Sequence, residues 1–256
     1  MNIAVSNLCY QGLFTNRLMK LPKDIGIEVY SEAGSDFWWD RLLPKLMDGR
    51  TSGLSVHGPY QNLDLSSPDL DFDAALDFWK WNFALCKRHH ATHCVCHPYA
   101  YVPVRKMTGS EKKERMTLCL RRVKELNKIS QEYGIELLIE NMADKDGLLS
   151  QREFNDLFGN CGELLFLIDT GHANIQGWDM ELMFEALGDR IRGYHINDNF
   201  GDADSHLKVF EGNYDWEKFF AFYKEYTPEA ALVCEYMSGT IEELVTSVRS
   251  IQQILQ

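Results

Sequence analysis

Short apolar runs that each stop on an acid or a histidine recur along this chain, and this repetition constrains the fold more than any other feature. Residues 53–57 end on His57, 93–97 on His97 and 136–140 on Glu140. Residues 164–169 end on Asp169, 192–195 on His195 and 231–235 on Glu235. A strand covered on both faces reads as a continuous apolar run, and such strands belong to parallel sheets. Ligands bind at the carboxyl ends of those strands. A carboxylate or imidazole closing a buried run is unfavourable unless paired, protonated or bound to a cation. One such residue is a chance feature, whereas a series of them on successive strands points to one shared site.

Two further runs, at residues 3–5 and 26–30, complete a set of eight. Helical patterns lie between them. A weak one covers residues 17–21, and stronger ones cover 36–47, 72–86, 111–133, 179–187 and 214–226. In the third segment Phe72, Leu76, Trp79 and Phe83 recur at helical spacing; in the fourth Met116, Leu120, Val123 and Leu126 do so before Gly134. Ser150–Glu153 and Thr240–Glu243 have capping-box spacing and open a short helix and the closing one. Pro59 and Pro98 stop the third and fourth strands. Eight alternating units with no linker predict an α/β fold, a single-domain (β/α)8 TIM barrel over residues 1–256. An open doubly wound sheet is the competitor; the count of eight and the repeated polar strand ends favour closure.

Composition narrows the partners. Twenty-six lysines and arginines stand against 38 acids, a net charge of -12, which argues against nucleic acid and anionic membrane. No apolar run reaches the roughly 18 residues of a spanning helix. Seven cysteines without paired CxxC spacing suggest reduced thiols and a cytoplasmic protein. The first residues read as a strand and not as a signal peptide.

Within a barrel, the six strand ends converge on one rim. His172 follows Asp169 by three residues on what reads as a loop, and Asp204 and His206 lie on the loop after strand seven. Side-chain alternation places Gly193 and Asn197 on the face of His195, with Asp198 opposite, as a loop or supporting group. The same alternation pairs Glu140 with Leu138 and Glu235 with Val233, and puts Glu136 at the solvated end of its strand. Cys94 and Cys96 fall opposite His97, toward the helices. His89, His90 and His93 read as a helix end and a strand start, with a structural role. Trp38, Trp39, Trp79 and Trp81 read as outer-layer packing or a contact between copies in a homo-oligomer.

At Val56-His57-Gly-Pro-Tyr60, Cys96-His97-Pro98, Ile139-Glu140-Asn141, Ile168-Asp169-Thr-Gly-His172, His195-Ile-Asn-Asp198, Ser205-His206-Leu207 and Glu211-Gly-Asn-Tyr-Asp-Trp216 the chain resembles the xylose-isomerase-like TIM-barrel superfamily. That superfamily holds sugar isomerases and epimerases and the endonuclease IV type of DNA-repair enzyme. The resemblance runs from Gly26 to Glu235. It implies a divalent metal (zinc, manganese, magnesium or cobalt) held by Glu140, Asp169, His195 and Glu235. Glu140 and Glu235 would act as acid and base beside a polarised ketose carbonyl, and His57, His97, His172, Asp204 and His206 would bind the sugar. The rival implication is a phosphodiesterase whose three zinc ions take all nine of these residues as ligands. A non-catalytic sugar-binding barrel is the third. Several positions depart from the epimerase pattern. No arginine lies within residues 197–212, Gly201 stands near its expected place, Asp146 replaces an expected glutamate, and Phe210 interrupts a usual Gly-Glu-Gly. Lys145 and Lys208 are the lysines of the proposed rim loops after strands five and seven.

Overall fold

The computed structural model describes residues 3–100, 107–143 and 147–256; Lys145 and Asp146 lie outside them. Eight strands, β1 (Ile3–Ser6), β2 (Gly26–Tyr30), β3 (Leu54–His57), β4 (His93–Cys96), β5 (Glu136–Glu140), β6 (Leu165–Asp169), β7 (Ile191–Ile196) and β8 (Ala231–Cys234), are all parallel. They close in sequence order, β8 pairing with β1, so the barrel and not the open sheet is formed. Around it run α1 (Asp36–Met47), α2 (Phe72–Arg88), α3 (Gly109–Tyr133), α4 (Gln151–Phe154), α5 (Thr170–Gln176), α6 (Met180–Leu187), α7 (Trp216–Tyr226) and α8 (Ile241–Leu255).

Local chemistry explains most boundaries. Thr108, Ser150 and Thr240 form capping boxes with Glu111, Glu153 and Glu243 at the starts of α3, α4 and α8. Gly134 ends α3 at φ 74°, a left-handed position that favours glycine. The weak helix expected at 17–21 is a 3-10 segment, Gly12–Lys20. Thr15 and Leu18 of this segment are buried, while Leu13, Phe14 and Met19 remain exposed.

Alternation sorts the strand residues as expected. Phe166, Ile168, Tyr194, Ile196, Leu232 and Cys234 face the helices and join the main core. Val95, Leu138 and Leu167 form a separate, fully buried interior cluster; each contributes about 2 kcal/mol by burial. Gly193 borders it, the position of a Cβ there lying 3.4 Å from both the Leu138 and Leu167 side chains. Above this apolar floor the interior turns polar. Cys94 and Cys96 are buried on the helix side, Glu136 is exposed, and Trp39 and Trp79 are packed in the core, not at a free surface.

One irregularity sets the geometry of the rim. In the β6–β7 pairing Phe166 stands opposite Ile191 but Leu167 opposite Gly193, so Arg192 is an extra residue in β7. Such a bulge re-aims the residues beyond it. Asp169 consequently lies beside His195, and both side chains enter the barrel.

Candidate metal and substrate site

All nine residues singled out in the sequence meet at the carboxyl end of the barrel. His195 Nδ1 lies 3.3 Å from Glu140 Oε1, 3.3 Å from Glu235 Oε2 and 3.9 Å from Asp169 Oδ2. A second group joins His57, His97 and Glu140: the two Nε2 atoms are 3.3 Å apart, and Glu140 Oε2 is 3.0 Å from His97 and 3.6 Å from His57. In the third, Asp204 Oδ2 lies 3.3 Å from His172 Nε2 and 3.2 Å from His206 Nε2. Glu140 connects the first two groups, one oxygen toward each.

The imidazoles are oriented by the backbone. His57 Nδ1–H donates to the Gly58 carbonyl at 2.9 Å, His172 Nδ1–H to that of Asn141 at 2.7 Å, and His206 Nδ1–H to that of Glu235 at 3.0 Å. A carbonyl only accepts, so each ring keeps its proton there and turns the lone pair of Nε2 into the mouth. Outer partners of this kind are typical of metal-ligating histidines. Glu140 Oε2, buried beside the Nε2 atoms of His57 and His97, receives no hydrogen bond. A buried carboxylate oxygen without a donor is unfavourable, and a cation would satisfy it. Donor separations near 3.3 Å suit ligands sharing one ion at about 2.0–2.2 Å. The residues present therefore fit a divalent metal.

Asp169 ends β6 and caps α5, its Oδ1 accepting from His172 N–H at 2.7 Å and its Oδ2 from the Asn197 amide at 2.7 Å. Asn141 brackets the same residue, accepting from Asp169 N–H at 2.8 Å and donating to its carbonyl at 3.1 Å. His172 is thus on the first turn of a helix and not on a loop; seven residues are too few to display a helical period. Gly171 is required beside it, because a Cβ would approach Asn197 Oδ1 to 2.0 Å.

Asp198 supports the loop after β7, as its parity implies. Its oxygens accept from the N–H groups of Asn199, Gly212 and Tyr214 and from the Trp216 indole at 2.7 Å. Asp198→Ala leaves those donors short of a partner and should lower stability by about 3 kcal/mol, measurable by urea unfolding. Phe210 of this loop takes φ 73°, a conformation that favours the glycine expected there.

Three site residues escaped the sequence reading. Glu28 of β2 is fully buried in the barrel and accepts from His195 Nε2–H at 2.8 Å and from Ser55 Oγ at 2.8 Å. Tyr30, one inward step along, donates to Glu235 Oε1 at 2.5 Å and stacks on His57 at 4.1 Å. His93 lies inside as well, its Nε2 4.0 Å from Glu28 Oε2. The signal was parity: Gly26, Glu28 and Tyr30 share one face of β2, and His93 shares that of Val95 and His97. His89 and His90 remain outside the barrel, where His89 faces Asp40 at 2.8 Å.

The electrostatics follow from burial and crowding. Burial opposes charge on His195, but the carboxylates of Glu235, Glu28 and Glu140 outweigh it and hold its pKa well above the ordinary histidine value. Burial likewise opposes Glu140, yet His97 and His195 keep it well below the usual carboxylate range. Burial dominates at Asp169, raised to about 6, and at His93, lowered to about 4. His206 is raised to about 9 against its burial by Asp204 and Glu235. Beside these groups opens a cavity of about 500 Å³ lined by Tyr60, His97, Ala100, Met142, Ala143, His172, Ile175, Asp202, Ala203 and Asp204.

Comparison with known proteins agrees with this architecture. The chain is 26% identical over 207 residues to the uncharacterised protein MJ1614 of Methanocaldococcus jannaschii, covering 79% of this chain and 77% of that one. The crystal structure of a D-tagatose 3-epimerase-like protein superposes with TM-score 0.85 at 22% identity, covering 100% of this chain and 97% of the other. That of the IOLI protein with a binding zinc atom superposes with TM-score 0.81 at 14% identity, covering 100% and 98%. The sequence profile of one family matches residues 26–254, and with the closed barrel it shows that the chain belongs to the xylose isomerase-like TIM barrel family.

Proposed function

We propose that this protein is a divalent-metal-dependent isomerase or epimerase of a sugar or a related polyol or keto compound. The observation that carries the reading is the convergence of Glu140, Asp169 and Glu235 on His195 Nδ1, within 3.3–3.9 Å. The likeness to a D-tagatose 3-epimerase-like protein and to a zinc-bound barrel supports it. Glu140, Asp169, His195 and Glu235 would hold the cation. When bound, a divalent ion supplies Lewis-acid polarisation of a carbonyl and its neighbouring hydroxyl.

The protein groups do the rest. Glu140 and Glu235, delivered by different strands, are the base and acid that take and return a proton at the carbon beside the carbonyl. Tyr30 fixes one oxygen of Glu235 and leaves Oε2 turned toward the mouth. His57, His97, His172, Asp204 and His206 line the space in which sugar hydroxyls would be bound. The cavity of about 500 Å³ is of a size for a small molecule. The seven cysteines, none in a disulfide among the described residues, suit a reducing, cytoplasmic setting. No described helix is long and apolar enough to cross a membrane.

The three donor groups favour one alternative, a phosphodiesterase with three zinc ions. Against it stand the net charge of -12 and the pairing of Lys208 with Glu211 at 3.1 Å, which offer little hold on a polyanion. Metal per chain, measured by elemental analysis, should be about one for the sugar enzyme and about three for the phosphodiesterase. Incubation with ketoses in deuterated water should label the reacting carbon. Three tightly held zinc ions, or sugar binding without deuterium uptake, would sink the proposal, the latter in favour of an idle sugar-binding barrel.

A further inference from the structure

We infer that Glu28 is a positioning residue that fixes the tautomer and tilt of His195, so that Nδ1 is the nitrogen offered to Glu140, Asp169 and Glu235. This rests on the reading of those residues as a cation site. It goes beyond that reading by giving β2, which supplies none of the nine converging side chains, control over how they are presented. The side chain of Glu28 is fully buried, and its oxygens have separate partners: His195 Nε2–H at 2.8 Å and Ser55 O–H at 2.8 Å.

Other groups packed around Glu28 do not offer it a comparable bond. His93 Nε2 is 4.0 Å away, beyond hydrogen-bonding distance, and burial keeps that ring toward its neutral form. The carboxylate therefore leans on His195, and an acceptor-only group at Nε2 requires the proton to sit there. A second-layer carboxylate of this kind orients a ligating imidazole and strengthens it as a donor. Tyr30 acts from the same face of the strand on Glu235, so Glu28 is one part of an inner layer beneath the cation site.

Glu28→Gln keeps the volume but replaces the charge-assisted bond with a weaker one, or turns an amide N–H₂ toward Nε2 and moves the ring proton to Nδ1. Cobalt(II) titration, followed by its visible absorption, should show affinity lowered about 10–100-fold and an altered spectrum. Circular dichroism of the variant establishes that it is folded. Unchanged cobalt affinity and spectrum in folded Glu28→Gln would overturn the role of Glu28 alone. Failure of the wild-type chain to take up cobalt would overturn the cation site as well, which separates the two readings. Should the variant not fold, nitrogen NMR of cobalt-free, zinc-loaded wild-type protein decides: His195 should carry its proton on Nε2, and a proton on Nδ1 would refute the assignment.

Discussion

Glutamine at position 140 should slow deuterium exchange at the reacting sugar carbon by about 10³-fold. Glu140 turns its two oxygens toward two different donor groups. Its Oε1 lies 3.3 Å from His195 Nδ1, and its Oε2 lies 3.0 Å from His97 Nε2. The amide would be nearly isosteric, but it removes the negative charge from a fully buried place and puts two N–H donors where a lone pair is required. Both proton transfer and cation affinity should therefore fall, while the barrel, whose floor is the separate apolar layer of Val95, Leu138 and Leu167, stays folded. Exchange followed by proton NMR, with metal content measured on the same sample, tests this. A folded Glu140→Gln protein that exchanges at the wild-type rate would remove Glu140 from the acid–base pair.

Zinc affinity should weaken by about 100-fold between pH 8 and pH 6 if one proton is displaced. The sign follows from His195. Carboxylates outweigh its burial and raise its pKa, so below that value both ring nitrogens are protonated and Nδ1 has no lone pair to give. Binding must expel that proton, and each pH unit below the raised pKa lowers the apparent affinity about tenfold. Near pH 6 burial makes Asp169 take up a proton too, and the slope should steepen. Competition with a chelator at a series of pH values gives the slope. A flat profile would mean that His195 is not a ligand.

The barrel was legible because its strands are buried on both faces: residues 164–169 and 231–235 contain almost nothing polar except their last member. Seven of the nine converging residues were legible for the same reason, since each interrupts an apolar pattern or follows one closely; Asp204 and His206, in a polar loop, were legible only through the family resemblance. Glu28 was obscured because it lies in mid-strand, where a polar residue reads as an edge or solvated position. Only closure of β1 on β8 makes the middle of β2 an interior site. His93, at the start of its strand, was grouped with His89 and His90 as structural, although strand parity places it inside. The helical seat of His172 was illegible because α5 is short and its cap, Asp169, doubles as a strand residue. These misses share a cause: tertiary closure decides which side of a short strand is sheltered, and local pattern carries only half of that information.

Between its first two pairs with β6, β7 carries one surplus residue, and the side chain of that residue, Arg192, is exposed. Removing it would leave Phe166 opposite Ile191 and Leu167 opposite Gly193, so the phenol of Tyr194 would still face the helices and the imidazole of His195 the interior. Substitution and deletion of Arg192 should both leave the inward side chains in place, because the strand beyond the bulge keeps its own partners.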